Sequence, residues 1–475
     1  MLFDRSARVV GEARRELTQH YPRPGWVEHD PEEIWSGVLA CVRELIARVD
    51  IARIAGIGIT NQRETSLLWD RADGRAIGRA IVWQDRRTSD RCAELRADGI
   101  EAEVQAKTGL LLDPYFSATK LGWMLDNLPG ARDRAERGEL AFGTVDSFLL
   151  WRLSGGKVHA SDLTNAARTA LCDIRSGQWD PELCRLFQVP QSVLGQICDS
   201  SGVVGECDPA LFGRAIPLAG VAGDQQAALF GQACLEPGMA KSTYGTGCFL
   251  LLNTGDEAVR STHRMLTTPA WRIGGRTTFA LEGSIFVAGS AIQWLRDRMG
   301  LVGSAAESET LARSAADDHG VSFVTAFTGL GAPHWNAEAR AAVFGLSLDS
   351  GKAELVRAAL EAVAFQTREL TDAMAGDWGG ALATLRVDGG MAANGWLCQF
   401  LADILDRPLE RPANLETTAL GAAFHAGLAT GVWSGLGEIA RTWEARDRFE
   451  PAMDEDRRER LIGQWRDALS RVVGG

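Results

Sequence analysis

A chain of 475 residues is long enough for two or more domains with their own cores, and 45% hydrophobic and 24% charged residues are ordinary for a globular protein. A formal net charge of -12 argues against a surface specialised for nucleic acid or anionic membrane, and no apolar run approaches the length of a membrane span. Nine cysteines without a CxxC pair or regular spacing suggest neither a disulfide framework nor a structural zinc site, so a small-molecule partner and a reducing, cytoplasmic location are expected.

The opening MLFDRSARVVGEARREL reads as a strand, a polar turn and a second strand, and its charge from Asp4 onward is unlike a secretory signal. YPRPGWVEHDPEEIW follows as a rigid loop. In it, Asp30, Pro31 and Glu33 mark the N-cap, first-turn proline and acidic first turn of a helix that runs on through LACVRELIARV. From Ile51, IARIAGIGIT reads as a short buried strand that ends on polar Asn61, Gln62, Arg63, Glu64 and Thr65. Arg63 and Glu64 could form an ordinary surface ion pair. A hydroxyl both donates and accepts, however, so an arginine, which only donates, beside a carboxylate, which only accepts, suits a neutral polyol. Trp83 in IVWQDRRT could supply an apolar wall and Tyr115 in DPYFSATK a further hydroxyl, although singly each reads as core.

GTVDSFLLWRLSGG reads as strand and helix, and SDLTNAARTALCDI sets polar residues between apolar ones. An irregular part around Trp179, Asp180 and Pro181 leads to IPLAGVAG, a buried strand from Ile216, and Asp224 then opens the helix QQAALFGQ. In an open α/β sheet ligands bind in this crevice, outside the carboxyl ends of the strands. Asp224 could instead be a simple N-cap. MAKSTYGTGCFLLLN shifts the balance, because two strand-like runs flank Tyr244, Gly245, Thr246 and Gly247, whose glycines let backbone amides approach an anion closely. The alternative is an ordinary hairpin turn. A proton acceptor and a phosphate turn would thus share one segment, and the first domain is expected to end near Gly231.

The second half repeats the alternation. ALEGSIFVAGSAIQWLRDRMG passes from strand to helix through Gly283 and Gly289, with Gln293, Trp294 and Arg296 on the helix. FTGLGAPHWNAEARAAVFGL reads as a structured loop and ELVRAALEAVAFQTRELTDAM as an amphipathic helix. LRVDGGMAANGWLCQFLADIL gives a strand, a turn at Gly389 and Gly390 that would let a base or ribose approach the backbone, and a helix from near Asn394. TTALGAAFHAGLATG is a small-residue helix suited to close packing, and RRERLIGQWRDALSRVV closes the chain as an amphipathic helix. His334 and His425 lack metal-ligand spacing and read as structural.

Taken together, GITNQRET, PGWVEHDPEEIW, IVWQDRRT, DPYFSATK, GDQQAALFGQ, YGTGCF, ALEGSIFVAGSAIQWLRD, FTGLGAPHW, RVDGGMAAN and TALGAAF resemble, in this order, the FGGY carbohydrate kinases, in the branch acting on glycerol. The resemblance covers essentially the whole chain. It implies an α/β fold of two actin-like ATPase (ribonuclease H-like) domains with an interdomain active-site cleft, taken as a polyol-binding domain over 1–231 and a nucleotide-binding domain over 232–475. The implied activity is ATP-dependent, Mg2+-assisted phosphorylation of glycerol to sn-glycerol 3-phosphate, in a homo-oligomer.

Matched residue by residue, the resemblance makes Arg63, Glu64, Tyr115, Asp224 and Gln225 the glycerol contacts, Trp83 and Phe249 their apolar walls, and Asp224 the general base. Thr246, Gly247, Gly289, Gln293, Gly390 and Asn394 become the phosphate and nucleotide positions, with no metal ligand assigned. Family members open with a strand and an Asp-x-Gly-Thr-Thr turn, whereas LFDRSARVV stands here where the family sequence continues after that turn. The expectation is therefore a chain truncated at its start, lacking half of the phosphate cradle. ECDPALFGRAIPL lacks the glycine-rich loop that some members use for sugar-bisphosphate inhibition, and His334 stands where relatives often carry tyrosine. Two other functions stay open: a non-catalytic polyol-binding remnant, and a kinase for another small polyol or ketose.

Overall fold

The computed structural model describes residues 1–380 and 382–474. Its first departure from the sequence reading is local. Asp50 accepts a hydrogen bond from the Ala52 N–H and winds Ile51–Arg53 into a 3-10 turn, so the strand expected from Ile51 begins only at Ile57. The opening strands are present but short, Leu2–Phe3 pairing with Val9–Gly11. Helix α1 (Pro31–Ile46) starts where its cap predicts, the Asp30 side chain accepting from the Glu32 N–H.

Ten strands share one mixed sheet: β1 (Ile57–Asn61), β2 (Ser201–Glu206), β3 (Pro217–Gly223), β4 (Ala240–Tyr244), β5 (Cys248–Gly255), β6 (Leu266–Ile273), β7 (Arg276–Ile285), β8 (Leu385–Asp388), β9 (Leu409–Pro412) and β10 (Ala445–Phe449). Their spatial order is β10-β9-β8-β4-β5-β7-β6-β2-β3-β1. β3 pairs in parallel with β1 and is buried from Leu218 onward, as a nearly continuous apolar strand requires when both its faces are covered. β2 meets β6 through a single parallel pair, Ser201 with Ile273. Three strands therefore lie on one side of this narrow junction and seven on the other.

Helix α2 is Ser117–Asn127, and the short α3 is Leu163–Ala167. Helix α4 (Asp224–Gly231) leaves β3 and crosses α8 (Thr417–Ala429) at backbone distance; between them in the sequence come α5 (Gly289–Asp297), α6 (Lys352–Trp378) and α7 (Gly395–Leu405). A Cβ added at Gly421 would lie 1.8 Å from the Ala227 carbonyl oxygen, and one at Gly231 1.9 Å from that of Thr417. The small residues of α8 thus set how close α4, and the carboxylate at its start, sits to the sheet. One core packs α6 and α7 on β4, β5 and β7 through Leu250, Leu281, Leu360, Leu370 and Leu401; another gathers Leu68, Leu110, Leu121 and Phe142. Among the described residues no helix is long and apolar enough to cross a membrane.

Candidate active site

Asp224 is not the N-cap of α4. That position is Gly223, which has no side chain to cap with, and Asp224 is the first helical residue. Its Oδ1 accepts from the Gln225 N–H at 2.8 Å and lies 3.1 Å from Arg63 Nε. Asp224 has a side chain 32% exposed, whereas those of Glu64 and Glu282 are 1% and 0% exposed. Of these three carboxylates, only Asp224 opens toward solvent.

Arg63 and Glu64 are not a surface pair: each side chain is 1% exposed. Arg63 Nη1 donates to Glu282 Oε2 at 2.6 Å and to Gln226 Oε1 at 3.2 Å, and Nη2 donates to Glu282 Oε1 at 3.0 Å and to the Tyr115 hydroxyl at 3.3 Å. With the Nη hydrogens engaged, Nε is the guanidinium atom that faces Asp224. Glu64 has a left-handed backbone, φ 60°, an uncommon conformation for a residue with a side chain and one that clusters at functional sites. Its carbonyl oxygen holds the strained turn by accepting from Ser66 and Ser117 hydroxyls at 2.8 and 3.0 Å. Arg168 Nε donates to Glu64 Oε1 at 2.6 Å.

Around these groups Trp83 meets Tyr115 edge to face at 5.5 Å between ring centroids and Phe249 at 6.3 Å, so the three aromatics expected separately form one wall. Lys120, which is fully buried, donates to the carbonyls of Pro114, Tyr115 and Phe116 and fixes the turn that carries Tyr115. Gln225 is held by Lys241, whose Nζ donates to its Oε1 at 2.5 Å and to Thr243 Oγ1 at 2.9 Å. An ammonium only donates, so it fixes the polarity of the carboxamide and turns Nε2 toward Asp224 Oδ2, 3.4 Å away.

Burial and the two buried arginines together set the titration of this cluster. Burial pushes the Tyr115 hydroxyl up and the Lys241 ammonium down from their usual values. Burial also raises the Glu64 carboxyl, with Arg168 and Arg63 opposing it. For Glu282 burial would do the same, but Arg168 and Arg63 outweigh it and draw the carboxyl down to about 2.

The second group of expected residues gathers around the YGTG turn. β4 and β5 flank it in antiparallel register, with Tyr244 opposite Cys248, and the Gly245 N–H donates to the Gly247 carbonyl at 2.8 Å. The N-terminus of α5 folds onto it: the Ala288 and Ser290 N–H groups and the Ser290 hydroxyl all donate to the Thr246 carbonyl. Gly289 is needed here, since a Cβ would lie 2.5 Å from the Gly245 carbonyl oxygen. The Gly389–Gly390 turn reaches the same place. Gly389 has φ 86°, and its Cβ would lie 2.4 Å from the Tyr244 carbonyl oxygen, so only glycine fits. Thr246, Gly390 and Gln293 are exposed, Gly247 half-buried. Asn394 stands one residue before α7 and caps it, accepting from the Leu397 N–H at 3.0 Å. Its side chain is thus committed to the helix, whereas Gln293 lies on the exposed face of α5. Two turns and a helix start converge here; the Gly245, Ala288, Gly289 and Ser290 N–H groups are spent on backbone carbonyls, which leaves the Thr246 and Gly247 N–H groups and the Thr246 hydroxyl to meet an anion. Among the described residues no group of three or more His, Cys, Asp or Glu could hold a metal ion by itself.

Sequence reasoning missed Arg168, Glu282, Lys241 and Gln226. Two signals were available: an arginine in the apolar run NAARTAL, and a glutamate in the otherwise apolar FALEGSIF.

Residues 1–231 match the N-terminal domain and residues 240–430 the C-terminal domain of the FGGY family of carbohydrate kinases. The chain is 57% identical over 477 residues to a glycerol kinase of Rhodospirillum centenum, covering 100% of this chain and 96% of that relative. A crystal structure of Plasmodium falciparum glycerol kinase with ADP superposes with a TM-score of 0.94 at 36% identity, over 99% of this chain and 95% of that one. A ligand-bound xylulose kinase from Lactobacillus acidophilus, at 20% identity, shares the fold with a TM-score of 0.88, over 99% and 96% of the two chains.

Proposed function

Because the chain belongs to the FGGY family of carbohydrate kinases, we propose that it transfers the γ-phosphoryl group of MgATP to a terminal hydroxyl of glycerol, giving sn-glycerol 3-phosphate and ADP. The observation that carries the assignment of roles is the exposure of Asp224 beside two buried carboxylates, next to Arg63 Nε and Gln225. Glu64 and Tyr115 bind and orient the polyol with Arg63, and the Trp83, Tyr115 and Phe249 wall takes its carbon face. Asp224 accepts the hydroxyl proton late in the transfer, since a carboxylate is far too weak a base to ionise an alcohol beforehand. Thr246 and Gly247 hold the phosphates, with the start of α5 at Gly289 bracing their turn, while Gln293, Gly390 and the turn that ends at Asn394 serve the rest of the nucleotide. Magnesium, carried in with ATP, neutralises phosphate charge during the transfer.

We place the division between a polyol-binding and a nucleotide-binding domain at Gly231; the end of α4 there and the single-pair junction of β2 with β6 support it. Nine free thiols support a reducing, cytoplasmic location. Leu346 and Leu348, exposed on one loop, support a homo-oligomer, which sedimentation would resolve.

The test is glycerol-dependent ADP release with MgATP. Turnover that needs glycerol is expected. Glycerol binding without ADP release would leave a polyol-binding protein, and faster turnover of another polyol or a ketose would move the substrate.

A further inference from the structure

Four charged side chains close a ring beneath the acceptor pocket. Arg63 forks onto Glu282 at 2.6 and 3.0 Å, Glu282 accepts from Arg168 Nη2 at 3.1 Å, Arg168 Nε donates to Glu64 at 2.6 Å, and Glu64 lies 3.8 Å from Arg63 Nε. All four are at most 1% exposed, and their charges sum to zero. Only Arg63 and Glu64 border the pocket in the reading above. Arg168 and Glu282 make its other half, and stability alone is a poor reason for them. Glu282 sits mid-strand in β7, opposite Leu251 of β5 and Leu266 of β6, where an apolar side chain would avoid desolvating a charge.

We propose that Glu282 and Arg168 are positioning residues that set acceptor selectivity. Glu282 occupies both Nη groups of Arg63, so the guanidinium can turn only Nε toward the acceptor. Arg168, lying 5.4 Å over the Tyr115 ring, pins one Glu64 oxygen and leaves the other for a hydroxyl. The polyol therefore meets one donor and one acceptor in fixed places instead of two mobile charges. Glu282 belongs to β7 and the other three members to the first 231 residues, so the ring also ties the acceptor pocket to the strands that lead to the phosphate turn.

This inference rests on the glycerol-phosphorylating reading, and the experiment separates the two. Steady-state kinetics of the full chain and of Glu282→Gln, Glu282→Asp and Arg168→Lys would be measured with glycerol and MgATP varied in turn, alongside thermal melts. Glu282→Gln should raise the glycerol KM by about 10-fold or more, leave the ATP KM within about twofold, and shrink the preference for glycerol over propane-1,2-diol. Glu282→Asp, which restores the charge, should recover part of the loss, and Arg168→Lys should shift the same parameters in the same direction. A folded Glu282→Gln with an unchanged glycerol KM overturns the proposal, as does an equal rise in both KM values. If Glu282→Gln fails to fold, the other two variants decide, and a wild-type glycerol KM in both overturns the proposal. A parent chain that turns over no glycerol overturns the functional reading itself.

Discussion

Within the cluster, position decides what each group can do. Glu64 and Glu282 are locked between arginines, whereas Asp224 touches one guanidinium nitrogen and is a third exposed, which is why the proposed mechanism gives proton transfer to it. Asp224→Asn should cut turnover by about 10²-fold or more while glycerol binding, read by calorimetry, persists. Near-normal turnover would remove Asp224 from its role. Lys241 acts one step away, through Gln225. Lys241→Met leaves the carboxamide free to flip and should raise the glycerol KM by about 10-fold, the value of one oriented hydrogen bond, with the ATP KM unchanged in the same assay. Arg63 and Glu64 were legible in the sequence because five polar side chains, Asn61 to Thr65, closed a buried strand. Arg168 and Glu282 showed only as single charges in apolar surroundings and Lys241 not at all, since they come from three distant segments and only folding brings them together.

At the scale of elements, two contacts invite tests. α8 touches α4 without side chains between them, so Gly421→Ala, with its Cβ 1.8 Å from the Ala227 carbonyl oxygen, should destabilise the fold by about 1–3 kcal/mol or more in urea titration. It should also lower turnover, because α4 carries Asp224. The small-residue run TALGAAF announced this contact. The second test concerns the helix Val145–Leu153, whose first turn buries Asp146. Its oxygens accept from the hydroxyls of Thr144 and Ser161, and among the described residues no cation pairs with it. Burial raises its carboxyl to about 6, above the usual 3.8. A raised acid keeps its proton in the folded state after the unfolded chain has lost it, so stability falls as pH rises from about 4 to about 6, by up to roughly 3 kcal/mol. Asp146→Asn should therefore gain stability over the parent at pH 7.5 and little at pH 4. An equal gain at both would mean that the charge is compensated.

For the molecule as a whole, the alternation of strands and helices was readable throughout, but the sheet order was not. Nothing in Ser201 or Ile273 marks them as the one pair that joins three strands to seven, because a parallel contact between distant segments leaves no periodic trace. The ring of charges is a second link between the two parts, at the other end of β6 and β7 from that junction, and a ligand seated on it should stiffen the whole. Glycerol at one hundred times its Kd is expected to stabilise the fold by about 2.7 kcal/mol, seen as a rise in melting temperature. Arg63→Ala should abolish that rise while leaving the shift caused by MgADP. Loss of both shifts would indicate damage to the fold instead of to the pocket.

The 3.1 Å between Arg63 Nε and Asp224 Oδ1 has a bearing on how a catalytic cycle ends. A guest that enters there must take a hydrogen bond from one side and give one to the other, and an alcohol does both. Once phosphorylated, the same oxygen has no hydrogen left to give, and when Asp224 passes the proton it has taken on to solvent, the anionic group faces a carboxylate. On the proposed mechanism, eviction of the product is thus written into the pair that welcomed the substrate, and the reverse reaction must begin by putting a proton back on Asp224.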